Sequence, residues 1–254
     1  MDFAGKIVIV TGASSGIGAA CAVAFAKLGA HLTLVGRDAQ RLETTSSKCK
    51  EFKNVETLVV RVDLTRECSC REVVNRTIEK FHKIDVLVNS AGNATITSLF
   101  EEDCTDVYDA VMELNARVPY KLTHLALPEL MKTKGNVVNI IGVSMERIRP
   151  GFLPYAMAKA ALERFTKSAA LELASVGVRV NAVRPGITRT NFLDNFNVEE
   201  ENRQKVYDRI AQSLPLKRII EPEEIANMVT FVASDRCPNM IGSNINVDGA
   251  ASMT

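Results

Sequence analysis

The chain alternates between short aliphatic runs and longer stretches in which apolar residues recur every three or four positions. Runs at 7–10, 32–35, 57–60, 86–88, 137–141, 178–183 and 245–247 are rich in Val and Ile and predict strands. Stretches at 16–28, 39–52, 67–82, 105–133, 155–175 and 222–234 have helical spacing. Gly29, Gly135 and Gly177 stand where helices should stop, in the place usually taken by a left-handed closing residue. Strands apolar on both faces and separated by helices need cover on two sides, as in a parallel sheet. With right-handed crossovers, this pattern predicts an α/β fold with a doubly wound sheet. No linker or repeat divides residues 1–254, so a single domain is expected. One segment breaks the rhythm. Residues 187–214 carry Asn191, Asp194, Asn195, Asn197 and the run Glu199, Glu200, Glu201, with no strand before the next helix. A long insertion after a strand's carboxyl end is a candidate substrate lid.

Composition narrows the class. The 254 residues, 46% apolar and 24% charged, can bury a real core and fit neither a disordered nor a fibrous chain. With 31 Lys and Arg against 30 Asp and Glu the net charge is +1, so no nucleic-acid partner or anionic membrane surface is expected. No apolar run approaches the ~18 residues needed for a membrane span. Residues 1–6 lack the layout of a leader and residues 251–254 match no lipidation tag, which leads to a cytoplasmic expectation. Six Cys and three His are scattered, and the Cys68, Cys70 pair has no second ligand pair, so no metal site is expected.

Candidate chemistry begins directly after the first strand, with Thr11, Gly12, Ala13, Ser14, Ser15, Gly16, Ile17 and Gly18 opening a helix. Such a turn lets backbone N–H groups meet a pyrophosphate at the positive end of the helix. Gly12 would permit the tight turn, Gly16 the close approach of phosphate and Gly18 the packing of helix on strand. The spacing G-x3-G-x-G differs from the usual dinucleotide fingerprint G-x-G-x-x-G. An NAD site wants a carboxylate at the end of the second strand, whereas this chain has Gly36 and Arg37, and Arg suits a 2′-phosphate. NADP(H) is therefore the expected cofactor, with Asp38 expected to cap the next helix. Tyr155 and Lys159 stand four residues apart in a helical segment and so share a face. An ammonium beside a phenol favours the phenolate and suits proton exchange with a carbonyl or alcohol oxygen.

Taken together, these residues resemble the short-chain dehydrogenases/reductases over about residues 5–250. Thr11 to Gly18 match the family's T-G-x3-G-x-G turn, and Asp63 and Leu64 the element that holds the adenine amine. Asn89, Ser90, Ala91 and Gly92 match its N-[NS]-A-G element, Asn115 its structural and catalytic Asn, and Tyr155 with Lys159 its Y-x3-K pair. Pro185, Gly186 and Thr190 match P-G-x3-T on the nicotinamide side, where Thr188 is also expected, and Asp248 with Gly249 resemble the C-terminal V-D-G. The resemblance implies a Rossmann sheet of about seven parallel strands and hydride transfer between nicotinamide and a carbonyl or secondary alcohol. It further implies Tyr155 as acid and base, Lys159 on the cofactor ribose, Asn115 holding a relay water, and a homotetramer or dimer.

One departure stands out. The family usually has a serine 13 residues before the Tyr, and here that position is Gly142. Ser144 is the nearest hydroxyl, and since 142 and 144 point the same way in an extended chain, Ser144 could reach the site if the strand continues or bulges. Three readings stay open: Ser144 substitutes, Tyr155 works without that donor, or the chain binds NADP(H) as a scaffold or sensor with little turnover. Met145, Ile148, Phe152, Leu153, Phe192, Leu193 and Phe196 flank the expected pocket and suggest an apolar carbonyl substrate, while Arg147 and Arg149 could meet an acidic group.

Overall fold

A computed structural model describes residues 2–143, 150–196 and 199–253, with the backbone alone for Asp194, Asn195, Phe196 and Glu200. Seven strands form one parallel sheet: β1 (Ile7–Thr11), β2 (His31–Gly36), β3 (Thr57–Arg61), β4 (Val86–Asn89), β5 (Asn136–Ile140), β6 (Arg179–Pro185) and β7 (Asn244–Val247). Their spatial order is β3-β2-β1-β4-β5-β6-β7. All six neighbouring pairs run parallel, with Ile9 opposite both Thr33 and Leu87 in the centre. The chain starts in the middle, winds outward to β3, then returns to β4 and winds the other way. The crevice at the carboxyl ends of β1 and β4 is thus the place where such sheets bind ligands.

Period-two alternation builds two cores from the same strands. Val8, Val10, Leu32, Leu34, Val86, Val88, Val138 and Val183 face one layer, and Ile9, Val35, Leu87, Val137 and Val180 face the other. The first layer is covered by α1 (Gly16–Lys27), α2 (Ala39–Lys50) and α8 (Pro222–Ala233), with Phe25, Leu42 and Val229 fully buried. The second is covered by α3 (Ser69–Phe81), α5 (Val118–Thr133) and α6 (Leu153–Leu173), with Val73, Leu122 and Leu130 fully buried. Burying each such side chain contributes roughly 1.5–3 kcal/mol, which holds the strand ends in register around the crevice.

Local structure bears on four of these expectations. The stretch 105–133 is divided into α4 (Cys104–Met112), a π-helical turn (Glu113–Arg117) and α5. The helix before Gly135 is closed not by that glycine but by Lys134, at φ +50°. Gly135 is needed for space, since a Cβ there would lie 2.5 Å from the Asp85 carbonyl oxygen and 2.7 Å from Leu130 Cδ2. Asp38 caps α2 as expected, its Oδ1 accepting the Arg41 N–H at 3.0 Å. The insertion after β6 holds a short 3-10 turn (Asn191–Phe196) and α7 (Glu200–Ser213).

Candidate active site

Thr11 ties the two strands of the crevice together. Its hydroxyl donates to the Val88 carbonyl at 3.3 Å and accepts the N–H groups of Ser90 and Ala91 at 3.0 Å each. The turn that follows is glycine-dependent for three different reasons. Gly12 has φ +68°, and a Cβ on it would meet the Ala91 backbone at 3.0 Å. Gly16 has φ +53° and lies under Thr190, whose Cγ2 would be 2.9 Å from a Cβ. At Gly18 a Cβ would overlap the Gly12 carbonyl, so this glycine lets α1 start close against β1.

The helix α6 carries Tyr155 and Lys159 and is locked to the sheet by a buried polar ladder. Asn89 Nδ2 donates to Asn139 Oδ1 at 2.8 Å, Asn139 Nδ2 donates to Thr166 Oγ1 at 2.9 Å, and Thr166 donates to the Leu162 carbonyl at 2.8 Å. Thr166 stands two helical turns beyond Lys159, so this ladder sets the depth of the Tyr–Lys face. Lys159 is 5% exposed, donates to the Ile140 carbonyl at 3.0 Å and lies 5.5 Å from the centre of the Tyr155 ring. Burial disfavours its ammonium and pulls its pKa down to about 8. The Phe192 ring lies 5.8 Å from that of Tyr155.

Asn115 sits at the centre of the π turn and is fully buried. Its Nδ2 donates to the carbonyls of Asn93 and Val111, both at 2.9 Å, and lies 3.1 Å from Asn93 Oδ1. That leaves Asn115 Oδ1 buried without a hydrogen-bond partner among the described residues. A Cβ on Gly92 would be 2.7 Å from this oxygen and 3.4 Å from Lys159 Nζ, so the two polar atoms converge on the space above Gly92. An orphaned buried acceptor facing a buried ammonium is a place built for a further polar group. Wider helical turns of this kind recur at functional sites, and here the turn swings an asparagine inward.

A continuous cleft of about 2130 Å³ runs along the carboxyl edge of the sheet. Of the residues singled out in the sequence, Gly12, Ser14, Ser15, Gly16, Ile17, Gly18, Arg37, Asp63, Leu64, Ala91 and Gly92 line it. So do Tyr155, Lys159, Pro185, Gly186, Thr188 and Thr190, while Asn89 and Asn115 lie beneath its wall. Arg37 is exposed at the end of β2. Asp63 accepts the hydroxyl of Thr65 at 2.7 Å and its N–H at 3.1 Å, and those bonds, with nearby Arg37 and Arg66, hold its carboxyl below the ordinary range. Phe152, Phe192, Leu193 and Ile96 line the other end, whereas Leu153 is 48% exposed and off the wall. Thr11, Asn139, Thr166, Asn93 and Tyr207 shape the site without having been candidates. Only Thr11 lay inside a recognised motif, and the others carry no local signal.

Ser144, Met145, Arg147, Ile148 and Arg149 lie outside the described residues. Gly142 is described. Ile141 N and Val143 N still donate to the Val183 and Pro185 carbonyls at 3.0 Å, but Gly142 between them has φ +102°. The backbone at Gly142 leaves the extended region, while the ladder to β6 continues on both sides of it. A side chain at 142 would be strained. Gly142→Ser is expected to lower stability by about 1–3 kcal/mol, as read by urea unfolding. A variant as stable as the wild type would contradict this.

Among the described residues no helix is long and apolar enough to cross a membrane, and no group of three or more His, Cys, Asp or Glu is placed to hold a metal ion.

A sevenfold parallel sheet with a glycine turn at its switch point, and a Tyr–Lys face across the same cleft, defines a nucleotide-binding oxidoreductase class. The chain belongs to the short-chain dehydrogenase/reductase family of oxidoreductases. The family described as Enoyl-(Acyl carrier protein) reductase matches residues 12–252. The chain is 36% identical over 255 residues to the 3-oxoacyl-(acyl-carrier-protein) reductase of Thermotoga maritima, covering 98% of each. It superposes with TM-score 0.92 and 30% identity on L-sorbose reductase from Gluconobacter frateurii, solved with NADPH and L-sorbose, covering 100% of this chain and 99% of that one. Against other curated relatives the chain spans about half their length: the match to 11-beta-hydroxysteroid dehydrogenase-like 4A of Arabidopsis thaliana is 39% identical and covers 46% of that protein.

Proposed function

We propose that this chain is an NADP(H)-dependent reductase or dehydrogenase that interconverts a carbonyl and a secondary alcohol on an apolar substrate. The observation that carries this reading is the buried Lys159 ammonium beside Tyr155, in one cleft with the glycine turn. The cradle fits a dinucleotide: Gly12, Gly16 and Gly92 line the cleft, a Cβ on Gly92 would crowd the orphaned Asn115 Oδ1 and Lys159 Nζ, and the N-terminus of α1 faces the phosphates' place. Arg37 would take the 2′-phosphate and Asp63 the adenine amine, with Thr188 and Thr190 on the nicotinamide side. When bound, the dinucleotide supplies or accepts the hydride.

The chain's own residues supply the proton and the positioning. Tyr155 hands a proton to the substrate's carbonyl oxygen in reduction and takes it back in oxidation. Lys159 holds the cofactor ribose and lowers the cost of the phenolate, and Asn115 offers Oδ1 to a water that feeds protons toward Lys159. Phe152, Phe192 and Leu193 exclude water around an apolar substrate. The NADPH in the L-sorbose reductase structure supports the cofactor assignment. A homo-oligomer is supported by Tyr120, Leu153 and Met157, large apolar side chains that α5 and α6 leave 59%, 48% and 44% exposed. Six free thiols fit a reducing, cytoplasmic setting.

A second reading, a nucleotide-binding scaffold or sensor with little turnover, is favoured by the φ of +102° at Gly142 where relatives usually place a donor. NADPH consumption against a panel of ketones, diketones and quinones separates the two. Turnover on any member supports the enzyme, and tight NADPH binding without turnover supports the scaffold. The cofactor assignment has its own test. Arg37→Ala is expected to raise the Kd for NADPH about 10- to 100-fold, the loss of a charge-assisted fork to phosphate, with NADH little changed in a fluorescence titration. Equal losses for both would remove the 2′-phosphate assignment.

A further inference from the structure

We propose that Tyr207, on α7, is a positioning residue that fixes Thr190 over the phosphate turn and so ties α7 to cofactor binding. The proposal rests on the dinucleotide reading above and names a residue outside every motif of the chain. Tyr207 is 4% exposed, in a small apolar cluster with Ala211, Leu214 and Ile219. Its hydroxyl uses both of its capacities on one residue: it donates to the Thr190 carbonyl at 2.7 Å and accepts the Thr190 N–H at 3.1 Å. A single phenol thus satisfies both backbone polar groups of Thr190, which no strand or helix partner does among the described residues.

Thr190 is a junction. Its Cγ2 closes over Gly16, where a Cβ would come within 2.9 Å. Its Oγ1 accepts the Phe192 N–H at 3.2 Å, and Phe192 in turn lies against Tyr155 with ring centres 5.8 Å apart. Moving Thr190 therefore disturbs both the phosphate end and the reacting end of the cleft. The preceding residue anchors the same helix from outside: the Arg189 guanidinium stacks 4.9 Å from the Tyr207 ring centre and donates to Gln204 at 2.9 Å and Glu221 at 3.0 Å. The Arg189 N–H also donates to the Ile220 carbonyl at 2.8 Å. Helix α7 is consequently tied to the β6 exit at Arg189 and Thr190 together, and the buried hydroxyl is the link aimed at the cleft.

Tyr207→Phe removes the two hydrogen bonds while keeping the ring, its packing and its contact with Arg189. The expected result is a rise of about tenfold in the Kd for NADPH and in KM, for two lost hydrogen bonds, with kcat at saturation changed less than about threefold. In the wild type NADPH should slow amide exchange in α7, and in Tyr207→Phe that slowing should be largely lost. Tyr207→Leu, which also gives up the ring, should lower the melting temperature more than Tyr207→Phe. Its Kd for NADPH should match that of Tyr207→Phe if the hydroxyl is what counts. Wild-type affinity in Tyr207→Phe, or a loss of stability with Kd and exchange unchanged, would overturn the proposal while leaving the cofactor reading in place. Failure of the wild type itself to bind NADPH or NADH would instead overturn the reading on which it rests.

Discussion

Tyr155→Phe is expected to cut kcat about 10²- to 10⁴-fold, the usual size of a positioned acid or base, with NADPH affinity changed less than about threefold. The ring stays, so its packing against Phe192 at 5.8 Å and its place 5.5 Å from Lys159 Nζ stay as well. Only the proton-bearing oxygen goes. Steady-state kinetics on whichever carbonyl the panel yields, beside a fluorescence titration with NADPH, separates chemistry from binding. A variant that retains more than about a tenth of wild-type kcat would show that another group moves the proton. Since the donor usually found at position 142 is missing, the phenol should carry a larger share of the stabilisation of the developing oxyanion than it would beside a serine.

The second large effect belongs to Lys159, and its sign depends on pH. Burial holds its pKa at about 8 in the fold, against about 10.4 in an unfolded chain. Between these values the unfolded chain binds the proton and the folded one does not, so wild-type stability rises with pH across that window. Below about 8 both states are protonated and the full cost of burying the ammonium is present, on the order of 3 kcal/mol. Lys159→Met removes the titrating group and nearly keeps the volume. Relative to wild type, the apo variant should be most favoured near pH 7, with its advantage shrinking by about 3 kcal/mol toward pH 10. Its kcat/KM should nevertheless fall at least about 10²-fold. Urea unfolding at a series of pH values checks the first part, and parallel stability profiles for the two proteins would refute it. Buried charges with perturbed pKa values cluster at functional sites.

Much of the architecture was legible along the chain. Strands that are apolar on both faces can rest only inside a covered sheet, and the seven runs became β1 to β7 in one parallel sheet. Helix ends were legible where a local residue sets them, as Asp38 does for α2 through Arg41 N. They were less so where space decides: Gly135 looks like a cap but serves to clear the Asp85 carbonyl, while Lys134 takes the left-handed place. A π turn leaves no trace in hydrophobic periodicity, so the long stretch 105–133 read as one helix although Glu113–Arg117 widens inside it.

The same division runs through the candidate site. Gly12, Gly16 and Gly18 announced a phosphate turn because backbone freedom is a property of the residue itself, and Tyr155 with Lys159 announced a shared face because a helix has a fixed period. The sequence alone also showed that position 142 lacks a hydroxyl. That its backbone has φ +102° was decided by the chain's surroundings. The fall of the Lys159 pKa and the orphaned Oδ1 of Asn115 above Gly92 follow from burial among groups distant in sequence. The ladder through Asn89, Asn139 and Thr166 and the grip of Tyr207 on Thr190 span separations of 50, 27 and 17 residues. Local rules act through neighbours along the chain and can be read from it. Solvation and long-range hydrogen bonds depend on which parts of the chain meet, and only the tertiary structure sets that.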